Sequence, residues 1–150
     1  MHYLSRRAAI RLVLLLTAAP FGTSVPSIAA TTVSLAIEGY DPVAYFTMGK
    51  PARGLPEFEY EWDEHRYHFV SAEHRDLFRI DPLRYAPQFA NFCAMALTRG
   101  EIIEADPKNW LISDGKLYIF GAAYGPDNFR KGLPANIAKA NQNRPLIEKQ

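Results

Sequence analysis

Glu64-His65-Arg66-Tyr67-His68-Phe69-Val70-Ser71-Ala72-Glu73-His74 is the stretch in which a strand pattern gives way to a helix pattern. It contains all but one of the four histidines in the 150-residue chain. Residues 66–70 alternate between apolar and polar side chains, as a strand does, and Ser71 is a preferred helix-capping residue. The helix is predicted to run from Ser71 through Phe78. This strand-to-helix junction indicates a mixed fold with its histidines grouped at one place.

The residues before this stretch complete a hairpin. Residues 58–62 alternate strictly, so they are predicted to pair antiparallel with residues 66–70 around a turn at Asp63-Glu64. That register places aromatic side chains on one face and opposite charges on the other. The predicted partners are Trp62 with His65, Glu61 with Arg66, Tyr60 with Tyr67, Glu59 with His68, and Phe58 with Phe69.

A second hairpin is predicted where two apolar runs flank Asp114-Gly115, a favoured two-residue turn. One of its faces is expected to carry Trp110, Ile112, Leu117 and Ile119. Upstream of both hairpins, Asp41 is predicted to cap a short helix that Pro42 begins. These features predict an α+β fold of two antiparallel β-hairpins with packed helices.

The apolar residues of 88–97 recur at helical spacing, which predicts a helix with Cys93 on its buried stripe and an end at Gly100. A short strand is predicted over residues 101–105. A surface helix is predicted from Pro134 to about Asn143, because Pro145 disfavours helical structure at the preceding residue. The sequence therefore predicts a C-terminal helical extension beyond the second hairpin.

The first thirty residues have the pattern of a targeting signal. A basic segment with Arg6-Arg7 precedes an apolar run from Leu12 to Ala19, and Ser27-Ile28-Ala29 has the small residues of a cleavage site. The run is shorter than the roughly 20 residues that span a bilayer. We expect a cleaved twin-arginine-like signal peptide over residues 1–29, with Sec export or an uncleaved anchor as alternatives. Residues 30–150 are then one periplasmic or secreted domain without stable membrane insertion.

Charge and cysteine content limit the classes of partner and the states of the thiol that the chain is expected to have. Three of the 17 basic residues and none of the 16 acidic ones lie in residues 1–29, which leaves 14 basic and 16 acidic residues in the remaining chain. This near-neutral balance without a basic stripe argues against a nucleic-acid partner. The single cysteine, Cys93, cannot form an internal disulfide. In an oxidising compartment such a thiol is buried, bound to something, or cross-linked to another chain.

Ordered pieces of the chain carry a family resemblance. They are Gly39-Tyr40-Asp41-Pro42-Val43-Ala44-Tyr45-Phe46, Tyr67-His68-Phe69-Val70-Ser71-Ala72-Glu73, Tyr85-Ala86-Pro87-Gln88, Cys93-Ala94, Asp106-Pro107 and Gly115-Lys116-Leu117-Tyr118. Between Ala36 and about Phe120 the chain resembles the YHS-domain family in its small exported bacterial form. The resemblance implies a small treble-clef-like module that binds a metal ion, with copper the first candidate.

The chain departs from the family pattern at two informative places. Ala90-Asn91-Phe92 stands where the family has Gly-Gly-Tyr before the cysteine. Val70 and His74 stand where related metal-sensing modules have two cysteines. One soft ligand is therefore absent, and an imidazole replaces the other.

A copper or zinc site needs two to four ligands from Cys, His and Met. Cys93 and Met95 are two apart on a predicted helix, so they are expected to point to opposite sides. His65 and His68 are three apart on a predicted strand and also face opposite ways. The predicted ligand set for Cu(I) or Zn(II) is then Cys93 and His74, with either His68 or Asp41.

Each candidate also has a structural interpretation. Cys93 fits inert core packing, His74 a helix-flank histidine bonded to backbone, His68 a surface pair with Glu59, and Asp41 a helix cap. The alternative function is a metal-free small-ligand or protein-interaction module with Cys93 in the core. An enzyme is the third interpretation, and it is disfavoured because a Cys–His nucleophile pair needs an exposed, polar thiol.

Overall fold

The computed structural model describes residues 33–148, so the predicted signal peptide of residues 1–29 lies outside the described residues. Within these described residues the strands are β1 Ser34–Leu35, β2 Leu55–Trp62, β3 His65–Phe69, β4 Asp106–Ser113 and β5 Lys116–Phe120. The α-helices of the same range are α1 Ala44–Thr47, α2 Ala72–Ile80, α3 Pro82–Tyr85, α4 Ala94–Leu97, α5 Gly125–Lys131 and α6 Leu133–Gln142. Two 3₁₀ segments cover Ala36–Gly39 and Arg144–Leu146. The fold is α+β, as the sequence predicts.

The first sheet has the strand order β1-β3-β2, with β2 antiparallel to β3. Four predicted cross-strand pairs are present: Trp62–His65, Glu61–Arg66, Tyr60–Tyr67 and Glu59–His68. The predicted pairing of Phe58 with Phe69 is wrong. Leu55 lies opposite Phe69 instead, because the register shifts between Leu55 and Glu59. Strand β1, which pairs parallel to β3, was not predicted.

The β4–β5 hairpin forms the second sheet, with Trp110 opposite Ile119 and Ile112 opposite Leu117. These four residues pack against the first of two hydrophobic cores, as the predicted shared face requires. Three other residues of the same hairpin belong to the second core: Leu111, Tyr118 and Phe120. Because side chains alternate along a strand, the hairpin supplies one face to each core.

The two cores differ in what covers the hairpin. The first core takes its largest members from the first sheet and helices α1 to α3, including Tyr45, Tyr67, Phe69, Phe78 and Tyr85. The second core takes its members from residues 89–97 and the C-terminal helices, including Phe89, Cys93, Leu97, Phe129 and Ala140. The β4–β5 hairpin therefore lies between the two hydrophobic cores and contributes residues to both.

The predicted helix over residues 88–97 is mostly wrong. Only Ala94–Leu97 is helical, and Cys93 just before it has an extended backbone with φ −67° and ψ 112°. The backbone of the preceding residues bonds to other segments, since the N–H of Gln88 donates to the carbonyl of Leu117 and that of Cys93 to the carbonyl of Ile103. The apolar spacing of residues 88–97 indicates which side chains are buried. It does not require the backbone hydrogen bonds within the segment that would make it a helix.

The predicted strand over residues 101–105 is also wrong, because only Glu104 forms an isolated bridge, with Phe92. The predicted C-terminal helix is confirmed as α6, whose C-cap residue is Asn143. Helix α5 was not predicted. No helix within residues 33–148 has the length and apolar character needed to cross a membrane.

Candidate functional site

A buried carboxylate joins two of the predicted site residues. Asp41 is fully buried, and its Oδ1 accepts from the backbone N–H groups of Val43 at 2.8 Å and Ala44 at 3.3 Å. Its Oδ2 accepts from the backbone N–H of Val70 at 2.9 Å and from Nδ1 of His74 at 2.6 Å. Asp41 thus bonds the turn that leads into α1, whose N-cap residue is Val43 and not Asp41 as predicted, and it also holds the end of β3 and the first turn of α2.

The imidazole of His74 has a defined tautomer in this arrangement. An ionised carboxylate can only accept hydrogen bonds, so the Nδ1 of His74 carries a proton and donates it to Asp41. The Nε2 of the same ring lies 3.2 Å from Oγ1 of Thr47. That hydroxyl also lies 3.2 Å from the carbonyl oxygen of Val43, one turn earlier in the chain. We call this row of polar groups the Asp41–His74–Thr47 chain.

The local sequence explains why His74 reaches Asp41. The Ser71 hydroxyl caps α2 by accepting from the backbone N–H of His74 at 3.3 Å, which places the imidazole in the first turn of the helix. Asp41 and Pro42 lie just before α1, which begins at Ala44. The side chain of His74 is only 12% exposed, whereas Thr47 is on the surface. The Asp41–His74–Thr47 chain therefore leads from a fully buried carboxylate to the hydroxyl of an exposed residue.

Cys93 lies in the other core and is 7% exposed. It lines a half-open depression of about 190 Å³ whose other walls are Met95, Ala96, Arg99, Ile103, Gly121, Ala122, Tyr124 and Gly125. Met95 lines this depression together with Cys93, although the predicted helix would place the two on opposite sides. Cys93 precedes the helix in extended conformation, so the angular rule for two helical residues does not apply to this pair.

The predicted ligand set is divided by the structure. Asp41 and His74 are hydrogen-bonded to each other, while His68 lies on β3 with its Nε2 3.9 Å from Oε2 of Glu59. Cys93 packs in the second core, away from the segments that hold Asp41. Within residues 33–148, no three or more His, Cys, Asp or Glu side chains are grouped so that they could hold a metal ion.

Charges beside the depression come from a surface pair. Arg99 binds Glu101 with 2.6 Å between Nη2 and Oε2. Hydrogen bonding to Glu101 raises the pKa of Arg99, and the negative charge that Cys93 can carry adds to the effect. Arg99 and Tyr124 line the same depression as Cys93.

Two deeply buried tyrosines mark the first core. Burial raises the pKa of Tyr45 and of Tyr67 well above the usual value. The hydroxyl of Tyr45 donates to the carbonyl oxygen of Pro107 at 2.8 Å, which ties α1 to β4. These phenols stay protonated and serve the packing of the core.

A second, smaller depression of about 110 Å³ lies beside a strained turn. Ile37 has φ 41° and Glu38 has φ 50°, in the left-handed region that β-branched residues rarely adopt. The side-chain oxygen of Asn91 accepts from the backbone N–H of Ile37 at 2.6 Å and holds the turn in place. Asn91 is one of the residues that depart from the family pattern, and its side chain here has a structural role.

Two residues of these sites were missed by sequence reasoning. Thr47 follows Asp41 by six positions, and no local spacing indicates that His74, 27 residues farther along, approaches it. Met95 was left out of the predicted ligand set because the predicted helix placed it on the side opposite to Cys93. In both cases the deciding contact is formed between segments that are distant in sequence or irregular in backbone.

Comparison of the chain with protein-family models, with curated proteins and with solved structures finds no match. The likeness to YHS domains remains a prediction that depends on the motifs quoted above.

Proposed function

We propose that this chain is an exported YHS-like protein that binds one soft metal ion, Cu(I), in the depression at Cys93 and Met95. The observation that carries the proposal is that the cysteine and a methionine line the same half-open space. Thiolate and thioether sulfur are the protein ligands that favour Cu(I).

The ligand count favours Cu(I) over Zn(II). Structural zinc is held by four ligands drawn from Cys, His and carboxylates, and the described part of the chain has no such group of even three. Cu(I) is the softer ion and is served by few sulfur ligands. The positive charge of Arg99 at the rim is offset by Glu101 at 2.6 Å, so a cation can approach the thiol. His74 has no place in this ligand set.

The test is a Cu(I) titration against a chromogenic Cu(I) chelator under anaerobic, reducing conditions. The full domain should take up one Cu(I), Cys93→Ala should take up none, and Met95→Leu should bind more weakly. Met48→Leu is the matched control, since Met48 is 46% exposed and lies at the end of α1 outside the depression. A wild-type protein that takes up no Cu(I), or equal affinities for Met95→Leu and Met48→Leu, would contradict the proposal.

The metal-free interpretation is favoured by one specific observation. Cys93 is only 7% exposed and packs with aromatic and aliphatic residues of the second core, as free cysteines commonly do. In that case Cys93→Ala lowers stability and changes no binding. The same titration decides between the two functions, because only the copper-binding protein competes with the chelator.

Export is the part of the proposal that depends on residues 1–29. It is supported by the basic segment, the apolar run and the small residues at 27–29. Cell fractionation of the tagged chain should find a shortened protein in the periplasm. Replacing Arg6 and Arg7 by Lys should retain the precursor inside the cell if the twin-arginine route is used, and recovery of full-length protein from membranes would contradict cleavage.

A further inference from the structure

The geometry points to a second site with a different chemistry: Thr47, His74 and Asp41 form a relay that makes the Thr47 hydroxyl an acyl acceptor for small activated esters. The three side chains are joined end to end, with 2.6 Å between Asp41 and His74 and 3.2 Å between His74 and Thr47. An acid that orients a histidine beside a hydroxyl is the arrangement by which proteins activate an alcohol nucleophile. The copper proposal does not use these residues.

Asp41 fulfils the orienting role in this relay. It is fully buried, and three backbone N–H groups hold its carboxylate in addition to the imidazole. A carboxylate fixed in this way holds the His74 ring in one orientation and keeps the proton on Nδ1. The lone pair of Nε2 is thereby directed at the Thr47 hydroxyl. His65 provides a contrast, since its Nδ1 is bonded to the backbone oxygen of Asp63 and not to a carboxylate.

Thr47 has an exposed hydroxyl with two competing acceptors. Its single proton can be donated to the carbonyl oxygen of Val43 or to Nε2 of His74, both 3.2 Å away. Rotation about the C–O bond moves the proton from the structural acceptor to the basic one without moving the backbone. This is the state in which the oxygen can attack.

The surface beside Thr47 is open to a substrate. A Cβ placed on Gly49, two residues later, would meet no atom within 4 Å. Within the described residues, the backbone N–H groups of Gly49 and Lys50 have no hydrogen-bond partner and are free to bond an oxygen of a ligand. Because the site is a surface and not a closed pocket, we expect low substrate selectivity and a preference for esters with a good leaving group.

The reaction balances with water as the only co-reactant. The Thr47 oxygen forms a bond to the ester carbonyl carbon while its proton passes to Nε2 of His74. The carbon–oxygen bond to the leaving group then breaks, and the leaving alkoxide or phenolate takes that proton. Water next attacks the threonine ester, gives its proton to the same nitrogen, and releases the acid with the Thr47 hydroxyl restored.

The experiment uses p-nitrophenyl acetate with the full domain in the presence of a metal chelator. Release of p-nitrophenolate is followed by absorbance, and the acetylated residue is located by peptide mapping. The wild type should carry acetyl on Thr47, Thr47→Ser should keep the activity, and Thr47→Val should lose it. His74→Gln should lower the rate of phenolate release by about a hundredfold, the size expected for a lost general base.

Thr98→Val is the matched control, because the Thr98 hydroxyl also bonds back to a helical carbonyl, that of Met95 at 2.7 Å, without a histidine beside it. It should leave the rate unchanged. Circular dichroism of each variant separates lost chemistry from lost folding. Acetylation confined to lysines, or equal rates for the wild type and Thr47→Val, would overturn the inference.

Discussion

The two cores of the molecule share the β4–β5 hairpin but are closed in different ways. The first core is closed by aromatic rings around Phe78 and lies next to a buried polar anchor, the carboxylate of Asp41. The second is closed by the C-terminal helices, whose Phe129 packs on Tyr118 and Phe120, and its members Cys93 and Met95 line the depression of about 190 Å³. The hairpin thus separates the hydrogen-bonded residues Asp41 and His74, beside the first core, from Cys93 and Met95 of the second core.

The polar anchor is where the largest loss of stability is expected. Asp41→Ala removes a buried carboxylate and leaves three backbone donors and an imidazole without their acceptor. Breaking such a buried pair costs about 3–5 kcal/mol in the free energy of unfolding, which urea denaturation would measure. Asp106→Ala is the control, because the side chain of Asp106 accepts only from the N–H of Lys108 near the surface, and the loss of that hydrogen bond should cost about 1 kcal/mol. Equal losses of stability in the two variants would contradict the claim that the buried hydrogen bonds of Asp41 stabilise the fold more than those of a surface aspartate.

Truncation of the second core tests whether the two clusters unfold together. Phe129→Ala removes a fully buried ring and should cost about 3–4 kcal/mol. Both tryptophans of the chain, Trp62 and Trp110, pack against the first core, so tryptophan fluorescence reports on the opposite side of the hairpin. If the hairpin couples the two cores, Phe129→Ala should lower the fluorescence-detected urea midpoint. Phe78→Ala, a truncation in the first core, should lower it as well and serves as the comparison. An unshifted fluorescence midpoint, with loss of helical circular dichroism, would show two independent units.

The thiol should matter little for stability. Cys93→Ala removes one buried sulfur atom from the second core and should lower the free energy of unfolding by about 1 kcal/mol. Met95→Leu conserves volume, so we expect a change of less than about 1.5 kcal/mol. Thermal denaturation of the copper-free proteins gives both values. A loss several times larger for Cys93→Ala would mean that its role in packing exceeds that of a small core residue.

Alkaline pH should act on the first core. Burial raises the pKa of Tyr67, so the folded protein keeps this phenol protonated at a pH where the unfolded chain, with a tyrosine pKa of about 10, has lost the proton. The stabilising contribution is complete below about pH 10 and is lost as the pH rises beyond it. Urea midpoints at pH 8 and pH 10.5 measure the effect, and Tyr67→Phe should reduce the difference between them. An unchanged difference in Tyr67→Phe would contradict this origin.

Local sequence pattern was sufficient to predict the hairpins and the start of helix α2 at its Ser71 cap. The alternation of residues 58–62, the acidic turn at Asp63-Glu64 and the Ser71 cap specify short-range geometry, and the structure has them. Both turn residues adopt positive φ, 50° and 61°, as a two-residue hairpin turn needs even without glycine. These features depend on residues fewer than about ten positions apart, so the sequence contains the information directly.

The site depended on contacts that no local pattern encodes. Helical spacing over residues 88–97 correctly indicated which side chains are buried but wrongly placed Cys93 inside a helix, because the backbone there bonds to the segments at Ile103 and Leu117. The pairing of Asp41 with His74 was anticipated only as one of two options for a third ligand. The hydrogen-bonded row that ends at Thr47 required the approach of Thr47, at the end of α1, to His74 in the first turn of α2.

The order of the elements along the chain has a consequence for biosynthesis. Leu111, Tyr118 and Phe120 are made before α5 and α6, the helices that cover them. Until the last thirty or so residues leave the ribosome, this apolar face is covered only by residues 89–97 and lacks Phe129 and Ala140 of its core. The nascent polypeptide therefore has to avoid self-association or be held by a chaperone, and a stop codon shortly after residue 121 should yield an aggregating fragment and not a smaller stable domain.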